Sequence, residues 1–179
     1  MMKKIFVTTL LVLTFLSSGI FPVTNLNAER FSPWVIEKLV GKEAHGFTVN
    51  DLSGKNVSFS EFKGKPILLN FWATWCPYCR EERPYLNSLY KEYRDRGLII
   101  VAVSTDRSPS KVREYLNEIP MEFVVLHDNK NEAAGSYGVY SLQTSFLIDR
   151  DGIIRHKFMG LKDWTSSGSK KIIESLIKE

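Results

Sequence analysis

Residues 66–84 read PILLNFWATWCPYCREERP, and this stretch decides the fold. An apolar run (Ile67, Leu68, Leu69, Phe71, Trp72) stops at Ala73-Thr74-Trp75, and Cys76-Pro77-Tyr78-Cys79 then opens a segment rich in helix formers. These two cysteines are the only ones in the chain. A buried strand that delivers a dithiol to a helix N-terminus suits thiol–disulfide chemistry, because the free N–H groups and the helix dipole there favour thiolate over thiol. Half of a zinc site is the competing reading. Zinc wants two further Cys or His ligands at short spacing, and His45, His127 and His156 are scattered singly.

The stretch resembles the thioredoxin superfamily, whose sheet-to-helix junction reads F-W-A-x-W-C-x-x-C; here it reads Phe71-Trp72-Ala73-Thr74-Trp75-Cys76-Pro77-Tyr78-Cys79. Flanking aromatics, spacing and strand context agree together. A second phrase, Ala44-His45-Gly46-Phe47-Thr48-Val49-Asn50-Asp51-Leu52-Ser53-Gly54-Lys55-Asn56-Val57 followed by Phe62-Lys63-Gly64-Lys65, is similar to the opening of the extracytoplasmic subfamily that includes cytochrome-maturation thiol reductases. His45 stands where that subfamily usually has proline and reads as a surface substitution. The resemblance covers roughly residues 43–160.

Composition is that of an ordinary globular protein, 44% hydrophobic and 25% charged, long enough for one well-packed domain. Lys3 and Lys4 precede an apolar run from Ile5 to Leu16, with breaks at Ser17-Ser18-Gly19 and Pro22, the pattern of a secretory signal cleaved after Ala28. An uncleaved anchor over residues 5–21 is the alternative. Without residues 1–28 the chain carries 22 basic and 20 acidic side chains, which gives no case for nucleic-acid binding. The expected domains are 1–28 signal or anchor, 29–42 a helical segment, and 43–179 the thioredoxin-like domain. Outside the cytosol a lone pair of cysteines can be structural, but a bridge across two residues closes too short a loop to restrain the unfolded chain much.

Patterns along the chain predict a helix over 30–42, then a β-hairpin of Phe47–Asn50 and Val57–Phe59 about Asp51–Gly54, and a helical turn at Ser60–Phe62. The central strand follows, then a helix from Tyr78 to Arg96 with a kink at Pro84. Further strands are expected at Leu98–Val103, 122–126, Thr144–Asp149 and Ile153–Phe158, and helices at Ser108–Asn117, 131–138 and Ser169–Lys178. The sum is an α/β thioredoxin-like fold: a mixed central sheet, helices on both faces and an N-terminal hairpin extension.

Cys76 comes first and should be exposed, so it is the attacking thiolate; Cys79 lies one turn inside the helix and resolves the mixed disulfide. Glu82 matches the glutamate of the subfamily pattern W-C-x-x-C-x-x-E, where it can accept a proton from Cys79; the alternative is a solvent-facing helix acid beside Arg80, Glu81 and Arg83. Asn70 occupies the place where thioredoxins carry a buried acid, which makes Glu82 the better acceptor. Trp72 reads as core and Trp75 as an apolar surface for a substrate chain, while Arg80 has two readings, a charge that attracts the thiolate or an exposed, solvated arginine. The resemblance implies a substrate-binding surface of Trp75, Pro77, Tyr78, Leu142 and Gln143. Gln143 is the departure: the family phrase G-V-x-G-x-P-T-x-F-L-I-D puts a cis-proline there. A cis bond before glutamine costs about 2.5–4 kcal/mol, against about 0.5–1 before proline, so both isomers stay open.

The expected activity is therefore exported thiol–disulfide oxidoreduction on protein disulfides; the resemblance implies cytochrome c maturation as the process served, and general disulfide reduction is equally compatible. No cofactor and no metal are expected. The partners are protein thiols and disulfides and a membrane-bound or exported electron donor, acting with a monomer. A general oxidase or isomerase and a dithiol metal chaperone are the alternatives. A peroxidase is disfavoured, since no suitably placed proline precedes Cys76.

Overall fold

Every side chain from Ile67 to Trp72 is buried, so this strand belongs at the middle of a sheet covered on both faces. The computed structural model, which describes residues 39–178, has that arrangement. The strands are β1 (Thr48–Asp51), β2 (Asn56–Ser58), β3 (Ile67–Trp72), β4 (Ile99–Ser104), β5 (Val124–His127), β6 (Thr144–Ile148) and β7 (Ile154–Met159). The helices are α1 (Pro77–Tyr93), α2 (Pro109–Glu118), α3 (Glu132–Ser136) and α4 (Ser167–Lys178). The sheet order is β2-β1-β5-β4-β3-β6-β7. β3 pairs in parallel with β4 and antiparallel with β6, with Asn70 opposite Ala102 on one side and Ser145 on the other.

The fold is thioredoxin-like, as expected. The hairpin is more than an extension, because β1 joins the sheet antiparallel to β5. Ser58 caps the 3-10 turn Phe59–Phe62 with a full capping box to Glu61. The long helix is α-helical to Tyr93, tightens to 3-10 over Arg94–Arg96, and ends at Gly97, whose φ of 96° only glycine adopts readily. Pro84 does not interrupt it. The strand expected over 122–126 starts two residues later, where Val124 first finds its partner Val101. Of the helix expected over 30–42 only 39–42 is described, as a turn, and Leu39 is buried in the core. The expected signal segment, residues 1–28, lies outside the described residues.

Alternation along β3 divides the interior. Ile67, Leu69 and Phe71 pack with Val101, Val103, Phe146 and Ile148 under α3 and the Phe59 turn. Leu68 and Trp72 pack with Ile100, Ala102 and Leu147 under α1, α2 and α4. Asn70 follows this second parity, so its amide enters the layer that holds the cysteines.

Candidate active site

β3 ends at Trp72, and a short loop carries the chain into α1. Asp106 holds that loop: its carboxylate accepts from the Thr74 N–H at 2.9 Å, the Thr74 hydroxyl at 2.7 Å and the Ser104 hydroxyl at 2.7 Å. His127 Nε2 bonds the Asp106 carbonyl at 2.7 Å from beneath. Cys76 is the N-cap of α1 and Pro77 its first residue, a place where a missing N–H costs nothing. The Cys76 sulfur accepts the Cys79 N–H at 3.2 Å, and the two cysteines are joined in a disulfide.

Cys76 is less exposed than the sequence suggests, at 8%, but Cys79 is not exposed at all. A reagent can therefore reach only Cys76. Trp75 and Tyr78 stand out at 68% and 62% exposed, whereas Trp72 is fully buried, as expected of core. Trp75 and Leu142 line a cleft of about 350 Å³ with Thr105, Val139 and Tyr140. Pro77 and Tyr78 are exposed outside that lining.

Glu82 does not face solvent. It is buried on the same helix face as Cys79, accepts from Trp164 Nε1 at 2.8 Å, and receives a long 3.4 Å bond from Asn70 Nδ2. Burial is the dominant influence and raises its pKa above the ordinary 4.5, with the Trp164 bond, the Arg83 charge and Asn70 pulling the other way. The sequence reading missed Arg83, which also lies wholly inside. Its Nε donates to the Cys79 carbonyl at 3.0 Å and its Nη2 to Asn70 Oδ1 at 2.7 Å. Nη2 faces Glu82 Oε2 at 3.9 Å, and the guanidinium lies 5.0 Å over the Trp72 ring. Burial lowers the Arg83 pKa to about 10, opposed by Glu82, so it is a cation at neutral pH. Helical spacing was the available signal: Cys79, Glu82, Arg83, Leu86, Leu89 and Tyr93 form the buried face of α1. Arg80 is not directed at the sulfurs; it pairs with Glu118 at 3.5 Å and covers the Tyr115 ring.

Asn70 connects these charges. Its oxygen accepts from Arg83, while its amide nitrogen donates to Glu82 and, at 2.9 Å, to the Ser145 hydroxyl. Gln143 closes the other side. Among the described residues no peptide bond is cis, so the bond before Gln143 is trans, and Gln143 takes a left-handed φ of 60°. Its N–H bonds the Phe71 carbonyl at 3.1 Å, its carbonyl accepts from Gly160 N–H at 2.9 Å, and its side-chain Nε2 donates to the Tyr78 carbonyl. Proline could make neither donor contact. The site can thus hold a sulfur anion at a helix N-terminus with a buried carboxylate behind it. Among the described residues no three metal-ligating side chains cluster together.

The sequence pattern of the AhpC/TSA family matches residues 40–157. The chain is 42% identical over 121 residues to the thiol-disulfide oxidoreductase ResA of Bacillus thuringiensis, covering 68% of this chain and 70% of that one. It is 37% identical over 112 residues to ResA of Bacillus subtilis, with 63% of each chain covered. Among solved structures, a thiol:disulfide interchange protein DsbE from Chlorobium tepidum superposes with a TM-score of 0.72 at 31% identity, covering 77% of this chain and 97% of that one.

Proposed function

The chain belongs to the AhpC/TSA family and is a thiol–disulfide oxidoreductase, and from that premise we propose that it works as a reductase of protein disulfides outside the cytoplasm. The observation that carries the reading is Cys76 at the N-terminus of α1, reachable while Cys79 is sealed, with the Cys79 N–H already on its sulfur. That N–H and the helix dipole stabilise a Cys76 thiolate once the disulfide opens.

In the reductive cycle the Cys76 thiolate attacks a substrate disulfide, and one substrate sulfur leaves. Cys79 then gives its proton to Glu82 and attacks Cys76 Sγ. The substrate's second sulfur departs, and the Cys76–Cys79 bond forms again. Glu82 suits the acceptor role because it is buried on the Cys79 face, away from competing water. Trp75, Pro77, Tyr78 and Leu142 form the surface on which the substrate chain rests, and Gln143, itself buried, braces it through the Tyr78 carbonyl. A membrane-bound or exported donor returns the dithiol. The segment at residues 1–28 supports a place outside the cytoplasm, and the subfamily resemblance supports cytochrome c maturation as the process served.

Insulin reduction and a measured potential test this reading. The parent protein should turn over with a thiol donor, Cys76→Ala should not, and the potential should lie towards that of thioredoxin, about −270 mV. A potential near about −120 mV, where strong oxidants sit, would make the enzyme an oxidase instead.

A further inference from the structure

Arg83 has no part in the cycle above, yet it is the one buried Lys or Arg among the described residues. A buried cation is costly unless it is paired and hydrogen-bonded, and an apolar side chain of similar volume often serves stability at least as well. Leu86 and Leu89 continue the same face of α1 without any charge. What distinguishes Arg83 is the company it keeps. One nitrogen bonds the Cys79 carbonyl, another bonds Asn70 and faces Glu82, and the guanidinium lies over Trp72. Away from the dithiol, Nη1 makes a 3.7 Å contact to Met121 Sδ.

We propose that Arg83 is a positioning residue for disulfide exchange, whose buried cation keeps the Glu82 carboxylate ionised and, through Asn70, holds it in place to take the Cys79 proton. The inference rests on the reading of Glu82 as that acceptor. Burial among apolar side chains drives a carboxyl towards its neutral form, against the Trp164 and Asn70 donors that favour the anion, and a neutral acid cannot accept a proton. Among the described residues, Glu82 is surrounded by Trp164 Nε1, Asn70 Nδ2 and the backbone N–H of Lys162, and Arg83 is the cation that faces it. Tyr115 of α2 faces Arg83 and Arg80. In the step itself the Cys79 S–H proton passes to a Glu82 oxygen and the sulfur's electron pair forms the Cys76–Cys79 bond. The Cys76–substrate bond breaks, and its pair leaves on the substrate sulfur, which is thereby reduced. Glu82 then releases the proton to water.

The test reads the carboxyl directly, by carbon-13 NMR of protein labelled at the glutamate carboxyl carbon, with the Glu82 signal assigned by its loss in Glu82→Gln. In the parent at pH 7 that signal should be that of a carboxylate. Arg83→Met should raise its titration midpoint so that ionisation becomes at least about tenfold weaker, and Arg83→Lys, which keeps the charge without the fork, by less. Single-turnover release from a Cys76 mixed disulfide should slow in the same order. An unmoved midpoint in Arg83→Met overturns the proposal. So does a Glu82 found protonated at pH 7 in the parent, an arm that needs no variant to fold. If Glu82→Gln releases substrate as fast as the parent, the acceptor reading itself fails. If Glu82→Gln is slow while the Arg83→Met midpoint stays put, the role of Arg83 alone fails.

Discussion

The two faces of β3 carry different work. One face presents Ile67, Leu69 and Phe71 to a dry layer in which Phe71, Tyr137 and Phe146 meet at ring distances of 5.1–6.3 Å. The single polar group among those rings, the Tyr137 hydroxyl, bonds the His45 carbonyl at the rim. The opposite face presents Leu68, Asn70 and Trp72, and there the disulfide, Glu82, Arg83 and Ser145 share one hydrogen-bonded group. A strand with period two lets both be built at once, because each residue serves only one side. The dry face supplies stability that the wired face, with two buried charges, cannot be counted on to supply.

Phe71→Ala should separate the two most sharply. Removing a fully buried phenylalanine costs about 3–5 kcal/mol, readable as a shift of the urea midpoint. The redox potential of the surviving folded protein should not move, since Phe71 points away from the sulfurs. A potential that moved with it would show the two faces to be coupled.

Gln143 joins both layers, and here proline is the informative substitution. Its N–H reaches the Phe71 carbonyl and its side chain reaches the Tyr78 carbonyl. Proline fixes φ near −65° and has no N–H, so it fits neither the φ of 60° nor the bond to Phe71. Gln143→Pro should cost about 2–3 kcal/mol unless the loop rebuilds. Gln143→Gly, which accepts the positive φ and keeps the N–H, should cost less by the same urea titration. A proline variant as stable as the parent would mean that the loop rebuilds freely.

These contrasts also mark what the sequence could disclose. The apolar run about Asn70, the paired cysteines after it and the Asp51–Gly54 hairpin turn are local patterns, and the structure keeps all of them. Glu82 carried two readings because a run of Arg80, Glu81, Glu82 and Arg83 resembles a solvated face. Carrying the apolar stripe of Leu86, Leu89 and Tyr93 back by helical spacing would have put both Glu82 and Arg83 inside. Nothing local points to Trp164 or Ser145, which reach the site only through tertiary contact. The peptide before Gln143 was undecidable in the same way. What settles it is where Phe71 and Tyr78 offer their carbonyls, and they lie far away in sequence.

The smallest expected effect is a pH dependence that belongs to one face only. Burial raises the Glu82 pKa in the folded protein above its ordinary 4.5, so the folded state holds that proton to higher pH than the unfolded chain does. Its contribution to stability is full below about 4.5 and declines as pH rises through the folded value, because over that interval the unfolded state binds fewer protons. Each unit of upward shift corresponds to about 1.4 kcal/mol. Glu82→Gln cannot titrate, so the unfolding free energy of the parent relative to Glu82→Gln should fall over this window and be flat above it. Phe71→Ala, which leaves Glu82 in place, should run parallel to the parent at every pH. A difference that instead rises with pH would mean that Arg83, Trp164 and Asn70 together outweigh burial. The wired face would then hold its carboxylate below the ordinary value rather than above it.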